Sequence, residues 1–166
     1  MKTVLILSAL GQDKPGLVEQ LAALISAQGG NWLESSFARL AGQFAGIVKV
    51  AVEGDGATLL SAVQALPDLA VSAVLDQEAD TAPVQQFGLH LVGHDRIGIV
   101  KEVASILARQ QVNVEKLTTW LESAPMSGDV MFHARAELSA PVQVELATVR
   151  LALEAIADDL MVEWVA

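Results

Sequence analysis

The sequence predicts an α+β protein built from two tandem copies of one β-α-β-β-α-β unit. Three observations support this: a repeat with a constant offset, a helical period of apolar residues in each copy, and hairpin signals at matching places. The 166 residues suffice for two small domains, and 52% of them are hydrophobic, so each copy can bury a core.

The repeat is clearest in two segments, "GQDKPGLV" at residues 11–18 and "GHDRIGIV" at residues 93–100. The aspartates stand at positions 13 and 95, which gives an offset of 82 residues. The flanking glycines keep this offset, and so do Asn31 and Asn113 further on. Apolar matches alone arise easily in so apolar a chain. The shared glycine, aspartate and asparagine positions are therefore the main evidence for the repeat.

The first strand and helix of each copy follow from local patterns. Apolar runs predict strands at about Lys2–Leu10 and Phe87–Val92. The start, "MKTVLILSALG", resembles a signal peptide, but the matching run in the second copy lies deep in the chain, which favours a strand. Apolar residues at i, i+1, i+4, i+5, i+7 and i+8 predict helices over Pro15–Gln28 and Ile97–Gln110.

The second half of each copy completes the order. Strands beginning at Asn31 and Asn113 turn at "LAGQFAG" and "ESAPMSGD" and return as "GIVKVAV" and "VMFHARAEL". Helices "ATLLSAVQAL" and "VQVELATVRLALEAIA" follow, then short strands "LAVSAVL" and "LMVEWV". This order is that of the ferredoxin-like fold, an antiparallel sheet with its helices on one face. We expect one domain at residues 1–77, a linker at 78–84 and a second domain at 85–166.

Composition excludes several classes of protein. Twenty acidic and ten basic residues give a net charge of -10, without a basic cluster, so we expect no direct nucleic-acid binding. The absence of cysteine excludes disulfides, thiol catalysis and thiolate metal sites, and it fits a cytoplasmic location. No apolar run approaches the ~20 residues of a membrane helix.

The three histidines do not form a catalytic or metal-binding motif. His90, His94 and His133 lack the spacing of metal ligands. The sequence "GHD" offers one acid–base pair, His94 and Asp95, but the first copy has Gln12 in place of the histidine. We therefore expect no catalytic residue, no metal and no cofactor.

The loop before the first helix of each copy is the candidate binding element. A helix N-terminus presents free N–H groups and attracts carboxylates or phosphates. Asp13 and Asp95 can cap the helix or hold an ammonium group, and Gly16 can admit a ligand or allow close packing. Asn31 can bind both ends of an amino acid or simply form a turn. The residues alone leave these alternatives open.

"DKPGLV" with "GGNW", and "DRIGIV" with "VNVE", resemble the ACT domain, a small-molecule-sensing module of this topology. The resemblance covers nearly the whole chain. It implies that a free amino acid binds between two paired copies. The loops differ at Lys14-Pro15 against Arg96-Ile97, so the two sites need not be equal. The ligand-binding residues that it implies are Asp13, Gly16, Leu17, Asn31, Asp95, Gly98, Ile99 and Asn113.

The segment "GGNWLESSFARLAGQFAGIVKV" further resembles the group of glycine cleavage system transcriptional repressors. This resemblance implies glycine or another small amino acid as ligand, and a DNA-binding transcriptional activator protein as partner. A homodimer would supply paired copies if they do not pair within one chain. The alternative is a ligand-free interaction module, in which Asp13 and Asn31 have structural roles only.

Overall fold

The structure, a computed structural model, describes residues 1–77 and 82–165. The chain divides into two compact units, Met1–Ala79 and Asp80–Ala166. The predicted β-α-β-β-α-β order, present twice, is confirmed, and so are the antiparallel sheets. Residues 78–81 of the predicted linker lie outside the described residues, and Val84 already begins a strand.

The first unit is a four-stranded antiparallel sheet with two helices. The strand order is β2-β3-β1-β4, so β2 and β4 are its edges. A bulge interrupts the β2–β3 pairing between Trp32 and Glu34. The elements are β1 (Lys2–Gln12), α1 (Leu17–Ala27), β2 (Asn31–Leu40), β3 (Gln43–Glu53), α2 (Ala57–Gln64) and β4 (Ala70–Leu75).

The second unit repeats this arrangement with the order β6-β7-β5-β8. Its bulge lies between Val114 and Lys116, at the same place in the repeat. The hairpin between β6 and β7 is longer than its counterpart, which joins Leu40 to Gln43 through two residues. The elements are β5 (Val84–His94), α3 (Ile99–Arg109), β6 (Asn113–Ser123), β7 (Val130–Pro141), α4 (Leu146–Glu154) and β8 (Met161–Val165).

Each core lies between one face of the sheet and the helices, because alternate side chains of a strand point to the same face. On the central strands β1 and β5, Leu7 and Leu91 are fully buried at 0% exposure. Buried residues of the helices, such as Leu21 and Val149, complete the two cores. None of the helices in the described part of the chain is long and apolar enough to cross a membrane.

Helix α4 begins at Leu146, four residues later than the apolar pattern predicts. The N–H of Val144 donates to the carbonyl of Pro141, which forms a turn in place of the first helical residues. The side chain of Gln85 donates to the carbonyls of both Pro141 and Val144, at 3.1 and 2.6 Å. This long-range contact gives the two carbonyls of the turn a hydrogen-bond donor. The local period of apolar residues cannot predict such a contact.

Candidate functional site

The loops after β1 and β5 lead into helices that begin at a left-handed glycine. Gly16 has φ +92° and Gly98 has φ +89°, a conformation that costs about 1–2 kcal/mol for a residue with a Cβ. A Cβ at either position would meet no atom within 4 Å. The backbone conformation therefore requires these glycines, and close packing does not. The open space beside them leaves the helix N-terminus accessible.

The hypothesis that the loop aspartates cap these helices is wrong. Neither helix has a side-chain cap, because each begins after a glycine and the aspartate lies three residues earlier. The carboxylate of Asp13 instead forms an ion pair with Arg39 on β2, with Nε 2.7 Å from Oδ2. The backbone N–H of Asp95 donates to the carbonyl of Val130. Its carboxylate has no side-chain partner within residues 1–77 and 82–165.

Two ion pairs hold the loop of the first unit. Arg39 on β2 pairs with Asp13, and Lys14 Nζ lies 2.7 Å from Asp68 Oδ2, just before β4. The backbone of Asp13 is tied to the β2–β3 hairpin through the carbonyl of Gly42. The first two residues of this loop, Asp13 and Lys14, are therefore held in place by Arg39 and Asp68.

In the second unit His94 contacts two aspartates, and Arg96, at the position of Lys14, forms an ion pair with Glu102. His94 Nδ1 lies 2.5 Å from Asp159 Oδ2, and the backbone N–H of His94 donates to the same oxygen at 2.8 Å. His94 Nε2 lies 3.4 Å from Asp129 Oδ2, which the long β6–β7 hairpin brings close. Asp159, and to a smaller degree Asp129, raise the pKa of His94. The backbone N–H and side chain of His94 lower the pKa of Asp159.

This histidine clamp makes the stability of the second unit depend on pH. The pKa of His94 is raised in the folded state, so its contribution is complete below the unfolded pKa of about 6.5 and is lost as pH rises through the folded pKa. We expect the melting temperature to fall as pH rises above about 6.5, and to fall less in His94→Gln, which copies Gln12 of the first unit. Equal pH slopes in the two melting series would contradict this expectation.

A pocket of about 410 Å³ lies in the second unit between the N-terminus of α3 and the end of β6. It contains three of the predicted site residues: Asp95, Gly98 and Ile99. Its residues from β6 and β7 were not predicted. The pocket is lined by Asp95, Arg96, Gly98, Ile99, Val100, Lys101, Thr119, Trp120, Leu121 and Phe132.

The asparagines of the predicted site lie at the opposite end of each sheet. Asn31 is paired with Ala51, which is paired with Val4 near the start of β1. The loop follows Gln12, so strand spacing separates the two places by roughly 25 Å. Asn113 donates to Glu115, whose pKa is lowered mainly by a hydrogen bond from Ser139. One unit therefore does not bring its loop and its asparagine together.

The equivalent place in the first unit is filled by aromatic side chains. Phe37 stands where the second unit has Thr119, and its ring stacks on Phe44 with a centroid distance of 5.2 Å. Trp32 stacks on the other side of Phe37 at 5.9 Å. A Cβ at Gly46 would lie 2.4 Å from Cδ1 of Phe37, so this glycine makes room for the ring.

The entrance to this place also differs between the units. Arg39 of the first unit is bound to Asp13, while the matching residue of β6 is Leu121, which is 57% exposed. Asp95 therefore shares its pocket with an apolar side chain at the position where the first unit has Arg39. Arg39 and Leu121 are related by the offset of 82 residues, so the sequence repeat already showed that the two units differ here. The strand register shows that this difference lies at the site.

The open face of the second sheet brings two histidines together across strands. His133 Nδ1 lies 3.5 Å from His90 Nε2, and His133 Nε2 lies 3.2 Å from a carboxylate oxygen of Glu122. Trp120 stacks on His133 at 5.1 Å. Sequence spacing did not reveal this pair, which depends on the β5–β7 register. No group of three or more ligating side chains suited to a metal occurs among the described residues.

Comparisons with known proteins agree with this architecture. A family model, ACT domain, matches residues 3–77. An unknown protein from Galdieria sulphuraria is 26% identical over 100% of both chains, with a TM-score of 0.86. A provisionally assigned glycine cleavage system transcriptional repressor is 16% identical, with 99% of this chain and 98% of that chain covered and a TM-score of 0.71. No curated protein matches. The ACT domain model therefore covers the first unit, and both units of the described chain have the β-α-β-β-α-β fold of ACT-type domains.

Proposed function

We propose that this protein is a non-catalytic regulatory protein that senses a free amino acid in the pocket of its second unit. The observation that carries the proposal is the pocket itself, in which Asp95 lies beside the open N-terminus of α3. The ACT domain match of the first half supports a regulatory role. In the first unit, aromatic side chains occupy the place of the pocket and Asp13 is paired with Arg39. This difference supports a single site per chain.

The pocket offers partners for both charged groups of an amino acid. The carboxylate of Asp95 can accept hydrogen bonds from an ammonium group. The N–H groups and dipole at the start of α3 favour a carboxylate, and Lys101 adds a positive charge there. Because Gly98 has no side chain, the ligand can approach the backbone closely. The pocket thus suits a zwitterion.

A second copy would complete the site through its asparagine. Since Asn31 and Asn113 are remote from their own loops, either one can reach a ligand only from a paired unit. We propose Asp95, Gly98 and Ile99 as the main ligand contacts, with an asparagine supplied by the paired unit. Asp13, Gly16 and Leu17 would then serve the structure of the first unit.

We also propose that the protein controls transcription through contact with a DNA-binding activator protein. The likeness to a provisionally assigned glycine cleavage repressor supports this and makes glycine the first ligand to test. The net charge of -10 disfavours direct contact with nucleic acid, so the proposed route is indirect. The lack of cysteine fits action in the cytoplasm.

The second candidate function is a ligand-free interaction module. The apolar side chains of edge strand β6 favour it: Val114, Leu117 and Leu121 are 40%, 50% and 57% exposed. An uncovered edge strand with apolar side chains is a typical surface for pairing with another chain. Under this alternative, substitution of Asp95 or Asn113 changes stability slightly and no ligand response exists.

Calorimetric titration of the full chain with glycine, serine and alanine separates the two candidates. A sensor is expected to give saturable heat with one ligand per chain. Asn31→Ala and Asn113→Ala identify which asparagine completes the site, because only that variant loses the heat. A folded protein that gives no heat with any amino acid would contradict the sensor and favour the interaction module.

A further inference from the structure

We infer that the pocket of the second unit selects an amino acid with an aliphatic side chain, such as leucine or valine, over glycine. The inference rests on the proposed function and narrows the ligand class of the same site. It is carried by an apolar cavity behind the pocket and by the residues that replace it in the first unit.

A small cavity of about 40 Å³, called here the recess, lies between α3 and the sheet. It shares Val100, Thr119 and Phe132 with the pocket, so the two are adjacent. Its other lining residues, including Val103 and Leu117, are all aliphatic. A ligand held by its main-chain groups at Asp95 and α3 would have its side chain beside the recess.

The walls of this region leave apolar surface in contact with water. Val100, Leu117 and Leu121 are 45%, 50% and 57% exposed. A ligand side chain that covers them removes this surface from water, and each buried methylene strengthens binding by a factor of about four. Glycine has no side chain to bury, so it gains nothing from the recess. A polar side chain would lose its hydrogen bonds with water there, since the Thr119 hydroxyl is the single polar side-chain group of the recess among the described residues.

Comparison of the two units identifies the residues that open the recess. Phe37 occupies the corresponding space in the first unit, above Gly46. The second unit has Thr119 and Ala134 at these paired positions of the sheet. The smaller threonine leaves the space empty. Thr119 is thus the residue that we expect to determine which side chain is admitted.

The test is calorimetric titration of the full chain with leucine, valine and glycine. We expect leucine to bind at least about tenfold more tightly than glycine. The double variant Thr119→Phe with Ala134→Gly copies the first unit, and the ratio of leucine to glycine affinity is expected to fall to about one. Leu121→Ser, at an exposed position that tolerates change, should lower the same ratio severalfold if the double variant does not fold.

Thr118→Phe is the matched control, because residue 118 points to the opposite face of β6 and the affinity ratio should not change. Glycine binding without tighter leucine binding would overturn this inference and leave the proposed function intact. Failure of leucine, valine and glycine to bind would overturn this inference, and failure of serine and alanine as well would overturn the proposed function. A leucine preference that survives in the double variant and in Leu121→Ser would show that the recess does not receive the side chain.

Discussion

Asp95→Asn is expected to weaken amino acid binding about 10- to 100-fold. A hydrogen bond to a charged group contributes roughly 1.5–3 kcal/mol, and asparagine keeps the shape of the side chain while removing its charge. The carboxylate of Asp95 forms no ion pair in the described parts of the chain, so the fold does not depend on it. Titration of the variant with glycine and leucine measures the loss.

Asp13→Asn in the first unit is the matched control. This substitution breaks the ion pair with Arg39, an exposed contact whose loss costs up to about 1 kcal/mol of stability. Binding should be unchanged, because Asp13 already has its partner and the adjacent space is filled by Phe37. The opposite result, in which Asp13→Asn abolishes binding and Asp95→Asn does not, would move the site to the first unit.

Local sequence patterns were enough to predict the fold. The first strand, first helix and second strand of each copy repeat with an offset of 82, and the apolar period places Leu21 and Val103 on helices in both copies. Prediction failed where a distant residue decides the local structure. Gln85 supports the turn before α4, and it lies 56 residues from the carbonyl of Pro141 that it binds. The conformational propensities of the turn residues cannot predict this contact.

The loop of the candidate site was predictable from the sequence, and the residues of β6 and β7 opposite it were not. Asp95 and Gly98 stand out because their types recur at one offset. Thr119 becomes meaningful only when β6 pairs with β7 and places it against Ala134. The clamp of His94 depends on Asp159, which lies 65 residues away. These contacts join residues that are far apart in the chain, so spacing along the sequence does not predict them.

The two units differ in the charged groups that hold the loop and in the space beside it. Ion pairs hold the start of each loop, through Asp13 and Lys14 in the first unit and through His94 and Arg96 in the second. Arginine and lysine keep their charge across physiological pH, whereas histidine does not. The first unit thus combines a permanently charged anchor with a filled interior, and the second combines a titratable anchor with an open pocket.

Leu7→Ala and Leu91→Ala are each expected to lower the free energy of unfolding of their own unit by about 2–5 kcal/mol. Both side chains have 0% exposure on the central strand of a sheet, so each deletion leaves a cavity. Their consequences for binding should differ. Leu7→Ala alters the first unit and should leave the affinity for leucine or glycine unchanged at 25 °C.

Leu91→Ala destabilises the unit that holds the pocket, so a bound amino acid should restore part of its stability by mass action. Denaturant titrations with and without leucine or glycine measure this effect. Saturating ligand should raise the unfolding midpoint of the affected transition more in Leu91→Ala than in Leu7→Ala, because the first unit contributes at most an asparagine to the site. A ligand-dependent recovery in Leu7→Ala alone would place the binding site in the first unit and contradict the assignment of Asp95 as its main contact.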